Sequence, residues 1–225
     1  MSEESRIEQA LAAFDERTHE FSIFMNGVEK WFGTHPRLSK GPVPVIHSVK
    51  SRLKDRDHLQ DKIARKESGG PPIDATSLFS RITDIAGVRV LHLYQEQARV
   101  IHEEITDKIH KKGDWVLNEA PRAYTWDPES TDFFAGMGLE VRLKDTFYTS
   151  VHYLVRPRAD SPLCCEIQVR TLFEEIWGEV DHALNYPNPT EVVACQEQLR
   201  VLTKVVGAGS RLVDSIFRTA AANRT

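Results

Sequence analysis

Three short segments of the chain alternate apolar with polar or aromatic residues, and this alternation constrains the fold more than any other feature: GVRVLHL (87–93), SVHYLVR (150–156) and LCCEIQVR (163–170). A period of two is that of a β-strand, whose successive side chains point to opposite faces. In the third segment Cys165, Ile167 and Val169 share one face, while Glu166, Gln168 and Arg170 share the other. Around the second, Val151, Tyr153 and Val155 lie on one face and Tyr148, Ser150 and His152 on the other; in the first, Val88 and Val90 are separated in the same way from Arg89. The pattern implies a sheet with one packed face and one polar face. DWVLNEA (114–120) and LEVRLK (139–144) bring it to about five strands.

Helical periodicity frames this sheet. Ile7, Leu11, Phe14, Phe21, Met25, Val28 and Phe32 recur at helical spacings and predict an amphipathic helix over 5–33, stopped by Gly33 and Pro36. A Pro-rich loop (36–46) follows, then a basic block with a helix from about Asp57, and a turn-rich ESGGPPIDA stretch. Short and longer helices are predicted over 76–84 and 95–112, and a loop rich in Pro, Asp, Ser and Gly over 121–138. TLFEEIWGEVDHALNY (171–186) reads as a helix stopped before Pro187, and 190–222 as a last helix, interrupted or bent near Gly207 and Gly209. The expected fold class is α+β, or mixed α/β. It comprises a mixed sheet flanked by helices, in one domain with an N-terminal helix (1–35), a core (45–190) and a C-terminal helix (190–225). A chain of 225 residues buries enough surface to fold without disulfide or metal staples. Its three cysteines, two of them adjacent, form neither a disulfide framework nor a zinc spacing.

Composition excludes several classes. With 40% hydrophobic and 28% charged residues the chain is not wholly disordered. A formal net charge of −4 argues against a duplex-DNA binder, which relies on a basic surplus. No apolar run is long enough to span a membrane, and the acidic N-terminus lacks an apolar signal core, so a reducing, cytoplasmic setting is expected. The charge is segregated, however: residues 47–66 hold seven Lys and Arg against three Asp, whereas 166–191 hold six acids against one Arg. Either these are solvated helix faces or they mark a site where anions and cations are both bound.

If the polar strand faces look the same way, they form a groove lined by Arg89, Tyr148, His152, Glu166, Gln168 and Arg170; the alternative is a solvated outer face. Asp84, three residues ahead of Gly87, reads alone as a helix cap or turn residue. Paired with Glu166 it offers the hard oxygen ligands that Mg²⁺ takes while bridging substrate phosphates.

Four blocks in order, VKSRLKDRDHLQDKI (49–63), ITDIAGVRV (82–90), YTSVH (148–152) and EIQVRTLFEEIWGEVDHALNY (166–186), carry a resemblance. They are similar to the ATP-binding segment, the Asp-x-x-Gly-x-Arg core, the nucleotide-stacking loop and the glutamate strand of the RelA/SpoT synthetase domain, a nucleotidyltransferase-like family that includes the small alarmone synthetases. The resemblance implies transfer of the β,γ-diphosphate of ATP to a 3′-hydroxyl. It implies that Arg52 and Arg89 sandwich the adenine, that Lys54 and Lys62 hold the ATP phosphates, and that Asp84 and Glu166 bind Mg²⁺, Glu166 also accepting the hydroxyl proton. Tyr148 would stack on the acceptor base, with His152, Gln168 and Arg170 in the acceptor-phosphate region.

The chain departs from the family where many members carry Lys-Pro-Asn-Gly before the stacking Tyr: here the sequence is DTFY, and His58 stands where Ser is frequent. Arg142 and Lys144, on the preceding strand, are candidates to supply the missing cation. No constellation of a partner hydrolase domain is evident; His182 reads as a packed or hydrogen-bonded helix residue, and Trp177 as core or rim packing. Because many small synthetases associate, the resemblance is also compatible with a homo-oligomer. The leading functional expectation is a GTP diphosphokinase that makes (p)ppGpp from ATP and GDP or GTP. Two alternatives stand beside it. One is the same chemistry on adenosine nucleotides or the tRNA 3′ end, as a toxin with a neutralising antitoxin protein. The other is an inert nucleotide-binding module.

Overall fold

The apolar stripe near the N-terminus forms α1 (Glu3–Thr34), capped by the Ser2 side chain, with Ala10, Leu11, Phe14, Phe21, Met25, Val28 and Phe32 buried. In the computed structural model, which describes residues 2–185 and 189–223, this helix lies on the apolar face of a mixed sheet. Ser51 on that face hydrogen-bonds Glu29 of α1 at 2.6 Å.

The sheet has seven strands: β1 (Ser48–Leu53), β2 (Ala86–His92), β3 (Val116–Leu117), β4 (Arg122–Thr125), β5 (Glu140–Leu143), β6 (Ser150–Arg156) and β7 (Cys165–Thr171). Their order is β1-β2-β7-β6-β4-β5, with β3 also pairing β6. The β2–β7 and β4–β5 pairs are parallel and the others antiparallel. Helices α2 (Arg56–Glu67), α3 (Leu78–Arg81), α4 (Gln97–His110) and α5 (Pro128–Ala135) fill the connections. On the packed face, His102 of α4 meets the buried Tyr153 hydroxyl at 2.8 Å. The hairpin of α6 (Leu172–Asn185) and α7 (Val193–Ala222) packs against β7 and β2. The fold class is as expected.

Register places the rows. Gly87 lies beside Glu166 and Arg89 beside Gln168 across β2–β7, and His152 beside Gln168 across β6–β7. Antiparallel β1 adds Lys50 beside Arg89 and Arg52 beside Gly87. The three alternating segments therefore do present their polar rows on one face.

Several expectations need correction. The basic block contains a strand, β1, before its helix; cationic outward residues and Ser51 in the inner row obscure its alternation. The expected loop at 121–138 holds β4 and α5, because Pro128 starts the helix, where a missing N–H costs nothing. The short helix ends at Arg81 rather than 84, leaving Asp84 in the segment entering β2. Helix α7 runs unbroken through both glycines. Gly209 answers a packing need: a β-carbon there would stand 2.6 Å from the Phe173 ring of α6. The expected end of the preceding helix, at Tyr186 and Pro187, lies outside the described residues.

Candidate active site

Between the polar sheet face and α6 lies a cleft of about 660 Å³, and a second lobe of about 430 Å³ opens beside it. Tyr148, Glu166, Trp177 and Asp181 border both. The larger lobe has the cationic wall, with Lys50, Arg52 and Lys54 at β1 and Arg89 on β2. The smaller has aromatic walls, Tyr124 and Tyr148, with Lys144 and His152.

At the cationic end, Asp84 sits between two ammonium groups, Lys62 at 3.0 Å and Lys54 at 3.5 Å. Burial opposes its ionisation, but the two lysines prevail and hold its carboxyl below the usual range. Lys62 comes from α2, whose first turn is fixed by Asp55 accepting from the His58 backbone. Arg89 is engaged by two acids of α6, Glu179 at 2.6 Å and Glu175 at 3.4 Å. Glu175 is a buried hub: it also takes Lys50 at 2.9 Å and pairs with Arg170.

Glu166 stands where the lobes join. Its neighbour in register on β2 is Gly87, which leaves one side without a side chain. One carboxylate oxygen meets His152 Nδ1 at 3.0 Å, and the other accepts from Gln168 Nε2 at 2.6 Å. Burial raises its carboxyl, yet the His152 contact and the Gln168 bond bring it below the usual range, so it is ionised at neutral pH. In the neutral imidazole, Nδ1 therefore donates to Glu166 and Nε2 accepts from the Tyr148 hydroxyl at 2.8 Å. This hydroxyl is itself pushed up to about 12 by burial and stays protonated. Behind Tyr148, the Arg170 guanidinium lies 5.9 Å from the ring centre. A methyl at Gly178 would stand 2.8 Å from Arg170 Nη1, so glycine is what lets α6 approach this arginine.

The structure brings together Arg52, Lys54, Asp84, Arg89, Tyr148, Glu166, Gln168 and Arg170 around the larger lobe, with Lys62 attached through Asp84. His152 and Lys144 border the smaller lobe, and Lys144 Nζ lies 4.7 Å from the Tyr124 ring centre. Arg142 does not join them: it is exposed on the outermost strand and paired with Glu140. Arg170 is nearly inaccessible, at 4% exposure, and serves Glu175 and Tyr148 from behind. The sequence reading missed Lys50, Tyr124, Glu175, Glu179 and Asp181. The signals that point to them are alternation within RAYT, the i, i+4 step from Trp177 to Asp181, and the segregated basic and acidic blocks, which hold Lys50, Glu175, Glu179 and Asp181.

Asp84 and Glu166 are both oxygen donors facing the cleft, the type that Mg²⁺ uses when waters and substrate phosphates complete its shell. Among the described residues no group of three or more His, Cys, Asp or Glu is placed to hold a metal ion. No described helix is long and apolar enough to cross a membrane.

A family model described as the region found in RelA / SpoT proteins matches residues 51–191. Among solved structures, smu.1046c from Streptococcus mutans UA159 aligns with a TM-score of 0.63 at 20% identity, over 95% of this chain and 97% of that one. A GTP pyrophosphokinase family protein from Streptococcus pneumoniae aligns with a TM-score of 0.59 at 22% identity, over 93% and 91%. Small alarmone synthetase 1 from Bacillus subtilis, solved bound to its product pppGpp, aligns with a TM-score of 0.59 at 20% identity, over 97% and 98%. The same protein has been solved bound to AMPCPP. No curated protein matches at a significant level.

Proposed function

The chain belongs to the RelA/SpoT family, and on that premise we propose that it is a pyrophosphokinase that moves the β,γ-diphosphate of ATP to the 3′-hydroxyl of GDP or GTP. The observation that carries this reading is the position of Glu166, an ionised carboxylate at the junction of a cationic lobe and an aromatic one. The cationic lobe suits a triphosphate donor and the aromatic lobe suits a base. That one structural neighbour is solved with a guanosine polyphosphate and with an ATP analogue supports both assignments.

In this reading the acceptor 3′-oxygen bonds to the β-phosphorus as the bond from the α-phosphate bridging oxygen to that phosphorus breaks. AMP leaves, and Glu166 takes the hydroxyl proton. Protein catalysis of phosphoryl transfer is chiefly positioning and charge neutralisation. Lys54 and Lys62 neutralise donor phosphates, while planar Arg52 and Arg89 stack on adenine. Tyr148 stacks on the acceptor base, with its ring set by Arg170 behind and by the hydroxyl bond to His152. Gln168 and His152 orient Glu166. Lys144, held over Tyr124, supplies a cation at the acceptor lobe. Asp84 and Glu166 would hold Mg²⁺, which when bound neutralises charge on the transferring phosphates. Free nucleotides as substrates are consistent with a cytoplasmic enzyme.

The test is incubation of the purified chain with β-labelled ATP, Mg²⁺ and GDP, GTP, ADP or deacylated tRNA in separate reactions, with products identified by mass. Equimolar AMP and 3′-diphosphorylated guanosine nucleotide are expected. Label appearing only in adenosine products or tRNA would replace the acceptor, and absence of AMP with every acceptor would overturn the reading.

A further inference from the structure

The segment between β5 and β6, residues 144–149, delivers Tyr148 to the cleft, and its sequence KDTFYT holds neither the glycine nor the proline that usually shapes a tight connection. The end of β4 sets its shape instead. The Lys144 amide donates to the Thr125 carbonyl at 2.9 Å, and the buried Thr149 hydroxyl meets the Thr125 hydroxyl at 3.1 Å. Between these ties the Phe147 ring stands edge-on to Trp126, with ring centres 5.3 Å apart and planes at 85°. Asp127 is held in turn: its amide donates to Thr125 Oγ1 at 3.1 Å, and its carboxylate takes Arg211 of α7 at 2.8 Å.

Tyr148 and Phe147 thus serve opposite sides of one segment. Tyr148 borders both lobes of the cleft, and Phe147 borders neither. Phe147 faces a small cavity that it shares with Trp126, Thr203, Val206 and Arg211. The free space there is about 30 Å³, room for about one water, so the seat is nearly filled. An edge-to-face aromatic pair is a directional contact, which fixes a ring beyond what burial alone does. Without it Tyr148 would sample several positions, and affinity for a stacked base would fall with the fraction of chains poised to stack.

We propose that Phe147 is a positioning residue for acceptor recognition: seated on Trp126 and against α7, it holds Tyr148 ready to stack before the acceptor arrives. This rests on the diphosphate-transfer reading for the role of Tyr148, and it adds what sets that ring in place.

Phe147→Ala tests it, with Phe147→Tyr as the variant that keeps the ring. GDP binding is measured by calorimetry without donor, kinetics with GDP and ATP varied separately, and amide exchange over 144–149. Phe147→Ala is expected to speed exchange in that segment and to weaken GDP binding by about 2- to 10-fold, the size of a lost aromatic pair. KM for GDP should rise by a similar factor while kcat and KM for ATP stay within about twofold, because bound GDP restores the stacked position. Phe147→Tyr should bring every value to within about twofold of the parent. Trp126→Leu should reproduce the loss, and adding Phe147→Ala to it should weaken GDP binding little further, as for two partners in one contact. Phe147→Leu, which keeps bulk without the ring, carries the same expectations if the alanine variant does not fold.

Unchanged exchange in Phe147→Ala, or faster exchange with GDP binding untouched, overturns the assignment even if diphosphate transfer is intact. Equal losses for GDP and ATP also overturn it, since general destabilisation gives that result. Faster exchange and weaker GDP binding, without turnover in any of the proteins, uphold the assignment and remove the enzymatic reading.

Discussion

Arg89 on β2 and Glu179 on α6 are joined by an ion pair of 2.6 Å across the wall of the larger lobe. The pair is partly exposed, which places its worth near the modest range measured for such contacts, about 0.2–1 kcal/mol. If Arg89 stacks on the donor adenine, nucleotide binding must break this contact. Glu179→Gln should then lower KM for ATP by about two- to fivefold, with kcat little changed. Steady-state kinetics with ATP varied would detect it; an unchanged or raised KM would show that Arg89 does not leave Glu179.

Glu166→Gln keeps an oxygen for His152 and removes the proposed proton acceptor. Turnover is expected to fall by about 10²- to 10⁴-fold, the usual contribution of a positioned general base. Nucleotide dissociation constants should change by less than about tenfold, because the lysines and Tyr148 remain. Near-normal turnover in this variant would strip Glu166 of its role.

Glu174 and Thr171 cap α6 reciprocally: the Thr171 amide donates to the Glu174 carboxylate at 2.7 Å, and the Glu174 amide to the Thr171 hydroxyl at 3.2 Å. Burial pushes the Glu174 carboxyl up from 4.5 to about 7 despite these bonds. A value raised in the folded state means that the group's contribution to stability is complete below pH 4.5 and is lost as pH rises through about 7. Glu174→Gln retains the cap without the charge. It should stabilise the protein by about 1–2 kcal/mol at pH 8 and hardly at all at pH 4. Urea unfolding at both pH values checks this; equal effects at both would contradict the buried-carboxyl origin.

The two glycines of α7 should respond oppositely to alanine. At Gly207 the nearest foreign atom to an added β-carbon is 3.7 Å away, so Gly207→Ala should gain the helical preference of about 0.5–1 kcal/mol. At Gly209 the Phe173 ring is 2.6 Å away, and Gly209→Ala should cost about 1–3 kcal/mol through overpacking. Thermal unfolding of the pair would reveal it, and a stabilised Gly209→Ala would mean that Phe173 yields easily.

The sequence was most readable where one residue in two is apolar. Alternation alone assigns the polar faces of β2, β6 and β7, and the register sets Glu166, Gln168, Arg89 and His152 on that face. β1 escaped because Ser51 interrupts its inner row and lysine and arginine read as solvated charge. β4 escaped because four residues carry little period.

Helix-borne parts of the site were harder still. The face that α6 turns to the sheet depends on contacts such as Gly178 against Arg170, and a buried Glu175 holding three cations looks in sequence like an ordinary surface acid. Arg142 shows the converse limit. Its parity puts it in the row of Tyr124 and Ser150, but strand order, which alternation does not encode, sets it at the sheet's far edge.

The β2–β7 register has a further consequence for quality control. A slip of one residue in β7 would turn Cys165, Ile167 and Val169 toward the cleft and bury Glu166 and Gln168 against the helices of the core. The alignment that keeps charge out of the interior is thus the alignment that assembles the polar row of the cleft. A compact but misaligned chain has no row of polar side chains in its cleft, so if the chain transfers diphosphate as proposed, turnover per molecule serves as a direct census of correctly paired sheets in any preparation.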